Sequence, residues 1–561
     1  MDVQPPSPLL LLAPELVLAI GDELNLSAAK QLRLTCKSLA ETLASKVLRK
    51  LTLNVSRKTM EKGISTLEGL STATHAACYA TRELHIRSLS PIYDPAFQQP
   101  VWRHEGGQWA AVQPTWDTAE MAAVEEKMER HLFHAIISLK GLQTVEWIPF
   151  AQDSERTHRT VMDALQTLPS LARLRISLPN LRVPMGLDAF EHLREIATEE
   201  SAGGEGAEDV HDGLASAVAR NPHITSICVS DSWRYGRTVP RTRSLHQLFK
   251  HYPAEAPPLK LRHLGLSMCL VRLDGDVMHH LQHLTSLRLT AIEDPYFIRP
   301  SQPQGTVADT EEEDAAIMQE RLRYGSSLED VWKALRMTDV RLETIEVDAV
   351  PFALMQYLQS YSGLKQLVLT PGGFDEGAVA MSDIVAAQFF DDNGPLGSHA
   401  QSLEDLQISA MHEGGWCFGV HNAKALAKCT KLRNLRMNVI SSQLTHGPGF
   451  VRDTVQAVEE DVIKLLFDTV VQHMPSVENV QVDGTYPAQG HYDERTGNPL
   501  RVHRNRVVKK MGRSIAEYRA PEGCARLPVG VIGFEKHQVS YTAERDQEQE
   551  RLRYAEAPVV C

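Results

Sequence analysis

The chain reads as α/β, a short helical start followed by a long array of alternating strands and helices. Two observations carry this. Between Leu9 and Leu51 the apolar residues recur at helical spacing. From Leu142 onward, apolar residues at the first, fourth and sixth positions of a short motif recur at ten places, and at the first and fourth alone in an eleventh, Leu193-x-x-Ile196, with helix-like runs between many of them.

Pro14 stands where a first helical residue belongs, with Glu15 beside it to complement the helix N-terminus. Leu16, Ile20 and Leu24 form a narrow apolar stripe. Ser27 is the expected N-cap of a second helix, striped by Ala28, Leu32, Cys36 and Leu39, and a third run continues through Leu43, Val47 and Leu51. Three short helices cannot hide this much apolar surface, so part of it should meet a partner.

The order Leu12-Ala13-Pro14-Glu15-Leu16, Ile20, Leu24, then Leu32-Arg33-Leu34-Thr35-Cys36-Lys37-Ser38-Leu39 resembles an F-box. In that family the proline directly follows the first leucine; here Ala13 intervenes. The resemblance implies docking onto the Skp adaptor of cullin-RING ubiquitin ligases through Leu12, Pro14, Leu16, Ile20, Leu24, Leu32, Cys36 and Leu39. The alternative is a three-helix cap on a larger domain.

Beyond Leu51 the chain turns strand-like (LTLNV), and a first candidate repeat lies at Thr81–Leu89. Pro91–Trp116 reads as an irregular connection pinned by Trp102, Trp109 and Trp116. A helix is expected near Thr118–Leu139, striped by Met121, Val124, Met128, Leu132 and Ile136. The repeats then begin at Leu142, Leu171, Leu193, Ile224, Leu261, Leu284, Leu342, Leu364, Leu403, Leu432 and Val477. The helix-like runs include Val161–Leu168, Gly213–Arg220, Phe352–Ser360 and Val455–His473.

This pattern resembles the leucine-rich repeat, with Cys269 at the usual Asn/Cys position and Val271 at the apolar position after it. The spacings, from 22 to more than 50 residues, imply an irregular solenoid with insertions. Each unit cannot bury its own apolar face, so stacking builds the core and curves the strands into a horseshoe. The competing fold is an ordinary parallel α/β sheet. Glu199–Asp209 reads as an acidic, Gly-rich exposed loop, and Ile298–Ser327 as a Pro-rich, acidic insertion ending in a helical run. Past Asp483 the periodicity is lost. The basic cluster Arg501–Arg513 reads as a localisation signal, an anion patch or a strand with a basic face, and Thr542–Tyr554 as a fraying helix or disorder. The domain expectation is therefore 8–51 helical motif, 52–140 connecting segment, 141–485 repeats and 486–561 partly disordered extension.

At 561 residues there is room for two to four domains or one repeat array. Hydrophobic content of 43% and charged content of 23% fit a soluble globular protein, and a net charge of −13 argues against general nucleic-acid binding. The eight cysteines form no CxxC pair and read as reduced thiols of an intracellular protein. The N-terminal leucine run lacks a basic flank and is broken by Pro14, Glu15, Asp22 and Glu23, so it is not a signal peptide. No stretch is long and apolar enough to span a membrane, and a cytosolic or nuclear location follows.

No GxSxG, P-loop, GxGxxG or HExxH motif is present. The His279-His280-Leu281-Gln282-His283 run places two imidazoles four apart but brings no third ligand, so surface histidines are expected. His131, His134, His412 and Glu413 carry weaker signals still. The expectation is a protein that is not an enzyme and holds no cofactor or metal.

An F-box followed by leucine-rich repeats resembles a substrate receptor of Skp–cullin–F-box ligases. Such a receptor binds the Skp adaptor, and through it a cullin, and holds a protein substrate near the charged enzyme. Residues between the apolar ones of each strand would face the substrate: Arg173 and Arg175, then Arg288, then Glu346, Asp348 and Asp405, and finally Arg436. This face changes sign along its length, suggesting a substrate of complementary charge order. The alternative function is a repeat-built interaction scaffold without a ligase role; an enzyme in the C-terminal part is a weaker third.

Overall fold

Pro14 opens the first helix, α1 (Pro14–Glu23), and α2 (Leu26–Arg33), α3 (Lys37–Thr42) and α4 (Ala44–Val47) follow. The computed structural model describes residues 9, 12–94, 101–105, 108–112, 118–150, 152–177, 183–184, 186–201, 207–232, 243–295, 311–370, 376–410, 412–446, 461–486, 499–534, 537–546 and 551–557. The expected second helix is two, because the chain turns at Leu34–Cys36. Its cap is Asn25, not Ser27: the Asn25 side chain accepts from the Ala28 N–H at 2.9 Å. Val17, Ala29, Leu39, Leu43 and Val47 form the core of this helical start. Gly21 lets α1 approach closely, since a Cβ there would stand 2.8 Å from the Leu43 side chain.

The chain divides into two compact units, Met1–Lys260 and Leu261–Cys561, a boundary inside the stretch read from sequence as one array. In the N-terminal unit, β1 (Lys50–Leu53) and β2 (Glu83–Ile86) pair in parallel. The Trp-bearing segment is not wholly irregular: β3 (Val101–Glu105) and β4 (Gln108–Val112) form an antiparallel pair. Trp116 lies outside the described residues. The parallel ladder continues from β2 through β5 (Thr144–Trp147), β6 (Arg173–Ser177) and β7 (Glu195–Ser201) to β8 (Ser226–Ser232). The acidic segment after Glu195 is therefore strand as far as Ser201, and a helix begins at Ala207. The helix Thr118–Ile137 buries Met121, Met128, Leu132 and Ile136 as its spacing predicts.

In the C-terminal unit, β9 (His263–Ser267), β10 (Ser286–Thr290), β11 (Thr344–Val347), β12 (Gln366–Leu369), β13 (Asp405–Ile408), β14 (Asn434–Val439), β15 (Asn479–Gly484) and β16 (Val529–Phe534) form a parallel ladder. β17 (His537–Arg545) and β18 (Leu552–Glu556) extend it antiparallel. All eleven motifs thus coincide with strands, and the register pairs equivalent motif positions. Leu264 lies beside Leu287, then Ile345, Leu367, Leu406, Leu435 and Val480. A one-residue slip would turn each apolar row to the other face, so the spacing holds the register.

Buried amides and carboxylates secure the connections. Asp153 accepts from the Leu89 and Phe150 N–H groups, Asn221 from Leu193, and Asn422 from Gly419. Buried backbone donors need such partners, and short polar side chains supply them where the ladder ends.

The last hundred residues depart most from expectation. The basic cluster is the middle of a helix, Pro499–Glu517, with Val507, Met511 and Ile515 buried at four-residue spacing while Arg506, Lys509, Lys510 and Arg513 face out. Its valines serve one helix face, not alternate faces of a strand. Thr542–Tyr554, expected to fray, contributes to β17 and β18.

Candidate functional site

Two surfaces hold the candidate residues. On the helical start, Leu12, Pro14, Leu16 and Ile20 are exposed, Leu16 by 54% and Ile20 by 39%. The α1 face turned inward is Val17 and Gly21, which leaves Leu16 and Ile20 of the apolar stripe on the outer face. Leu24, Leu32 and Cys36 are half-buried against the core, and Leu39 is 4% exposed inside it, so Leu39 supports the surface rather than presenting it. Two further leucines escape the sequence reading: Leu26, 51% exposed at the start of α2, and Leu34, 81% exposed just past its end. The helices close a core of their own and still leave five large aliphatic side chains, Leu12, Leu16, Ile20, Leu26 and Leu34, exposed.

The second surface is the sheet face opposite the apolar rows. Here four of the seven expected charges, Arg173, Arg288, Glu346 and Arg436, are in ion pairs within the sheet. In the N-terminal unit Arg173 pairs with Glu195 at 3.0 Å, while Arg175 is exposed. In the C-terminal unit Arg288 pairs with Glu346 at 3.1 Å, and Arg436 with Asp483 at 2.8 Å. Parallel register causes this, because it sets residue 288 directly beside residue 346. Asp405 accepts from Gln407 at 3.1 Å; its carboxyl is raised by burial, against hydrogen bonds from Gln407 and Asn434. Asp348 accepts from the Ala291 N–H at 2.5 Å, and burial raises its carboxyl while that bond opposes the shift. Ala291 has a φ of 49°, so Asp348 anchors a left-handed turn as well as facing outward. Arg173 and Arg175 lie in the N-terminal unit and the other five candidates in the C-terminal unit.

The histidine run differs from expectation. His279 and His280 lie on the helix Gly275–Leu281, but His280 is 2% exposed and burial lowers its pKa to about 4. His131 meets Ser71 at 2.9 Å. Glu413, read as part of a loop, is a buried anchor accepting from both the N–H and hydroxyl of Ser442, at 2.7 and 2.6 Å. Among the described residues no three His, Cys, Asp or Glu side chains are grouped to hold a metal ion, and no helix is long and apolar enough to cross a membrane.

No protein-family model matches the chain, and no curated protein matches it. Among the solved structures that align with it is the crystal structure of a TLR13–ssRNA13 complex, over 75% of this chain at 12% identity and a TM-score of 0.26. The alignment covers 49% of that protein, so this chain spans about half its length.

Proposed function

We propose that this chain is a non-catalytic substrate-recognition subunit of a Skp–cullin–F-box ubiquitin ligase. Its helical start is read as an F-box that docks on the Skp adaptor, and its strand–helix units as irregular leucine-rich repeats that hold a protein substrate. The observation that carries the reading is the exposed aliphatic side chains of Leu16 and Ile20 on a helix whose opposite face already packs a closed core, with Leu12 exposed just before it. Apolar surface of that kind gains about 25 cal/mol for each Å² covered by a partner. The in-register repeats support the second half by providing a broad, stiff face on which a substrate can be oriented.

Co-purification with the Skp adaptor tests the proposal, using wild type beside a Leu16→Asp, Ile20→Asp double variant. Capture by wild type and loss in the variant is the expected result. No adaptor in the wild-type pull-down leaves the scaffold reading, with α1–α4 acting as a cap.

A further inference from the structure

β17 and β18 lie beside the helix Pro499–Glu517, and a cleft of about 580 Å³ opens between one flank of that helix and the two strands. That volume is within the range of about 300–1,000 Å³ typical of clefts that take small ligands. Val508, Ile532, Val539 and the Tyr554 ring supply its apolar lining. Tyr541 also lines it, is 6% exposed, and has no hydrogen-bond partner for its hydroxyl among the described residues. A Cβ at Gly512 would stand 3.0 Å from that hydroxyl oxygen, so the phenol lies against helix backbone that only glycine leaves open. The Tyr541 hydroxyl is reached by solvent in the cleft and is not engaged by the described residues, so it is free to donate to an incoming acceptor.

The charges around the cleft decide what that acceptor belongs to. Arg553 and Glu544 pair with each other at 2.7 Å. Lys509 and Glu556 stand on the helix and strand sides respectively, so the four charges cancel. An ionised ligand would lose hydration without a net field to replace it. Glu556 sits directly opposite Tyr541 across the β17–β18 pair. The phenol donor and carboxylate acceptor are therefore neighbours, and together they match the C=O and N–H of an amide.

We propose that this cleft takes a neutral apolar side chain of a partner protein's extended segment, with the adjoining peptide carbonyl accepting from Tyr541 and the adjoining N–H donating to Glu556. Burial and the Glu556 carboxylate both raise the Tyr541 phenol, which keeps it a donor at neutral pH. The proposal stands independently of the adaptor reading, because no residue of α1–α4 takes part.

The test uses the full chain with N-acetyl-phenylalanine amide as probe, observed by saturation-transfer NMR. N-acetyl-phenylalanine and phenylalanine amide serve as the matched anion and cation. Saturable binding of the neutral amide is expected, weakened about five-fold by Tyr541→Phe, as loss of one hydrogen bond implies. Ala516→Trp, at an exposed helix position lining the cleft, should abolish binding without changing the unfolding temperature. Tighter binding of either charged probe, no saturable binding to wild type, or wild-type affinity in Tyr541→Phe would each overturn the proposal.

Discussion

The helical start and the repeat sheets treat their surfaces in opposite ways. On α1 and α2, large aliphatic side chains face water although the helices already have a core; on the sheets, Arg173, Arg288 and Arg436 face water but are matched by carboxylates of neighbouring strands. The first surface is left with unmet chemistry and the second has met most of its own. Exposure alone therefore does not mark a binding face. What marks it is exposed chemistry that the fold neither needs nor neutralises.

The largest expected effect lies in the helical core. Leu39→Ala should cost about 2–5 kcal/mol by leaving a cavity among Val17, Leu43 and Val47, whereas Leu34→Ala should change stability by less than about 0.5 kcal/mol. Denaturant unfolding with hydrogen exchange on α1–α4 measures both. Equal effects would erase the distinction between support and surface.

Next is Gly530. A Cβ there would lie 2.8 Å from the Ile515 side chain, so Gly530→Leu should overpack the sheet and cost about 1–3 kcal/mol. A more stable variant in thermal unfolding would show that this site has room.

Acid should act on the buried histidines. His280 and His399 are both lowered by burial to about 4 from 6.5. His399 accepts from the Leu364 N–H through Nδ1 at 3.3 Å, which requires that nitrogen unprotonated. Between pH 6.5 and 4 the unfolded chain binds the protons that the folded chain refuses, so their contribution is present above 6.5 and lost as pH falls toward 4. Denaturant midpoints across that window should fall, and should fall less in His399→Gln. A flat profile would contradict the burial argument.

The smallest effect belongs to the sheet surface. Arg288 and Glu346 are 46% and 36% exposed, so Glu346→Gln should cost no more than about 1 kcal/mol, with salt shrinking the difference. Reversing Glu346 and Asp348 together would be a poorer probe of substrate capture, because Asp348 also anchors the Ala291 turn.

Much of the fold is legible in the residues. Each Leu-x-x-Leu-x-Leu run became a strand because alternating aliphatics fit one buried face and nothing else nearby competes. β16 was missed because its motif reads Leu527-x-x-Gly530-x-Ile532, and Ile515 from the preceding helix fills the space of the absent leucine. That is tertiary information. The helix Pro499–Glu517 was obscured by Val507 and Val508, adjacent β-branched residues of which only the first is fully buried. The ion pairs on the sheet face follow from parallel register, invisible until neighbouring strands are known. For the helical start, composition showed that apolar surface exceeded need, but which side of α1 faced out depended on Gly21, whose missing side chain lets that face approach Leu43.

The central claim is that the outward face of α1 is a docking surface. Titrating the purified full chain with purified Skp adaptor by calorimetry, for wild type and for Leu16→Asp, Ile20→Asp, tests it most directly. The account predicts saturable wild-type binding with a negative heat-capacity change, lost in a variant that unfolds at the same temperature. No binding by wild type, or equal binding by both, would contradict it.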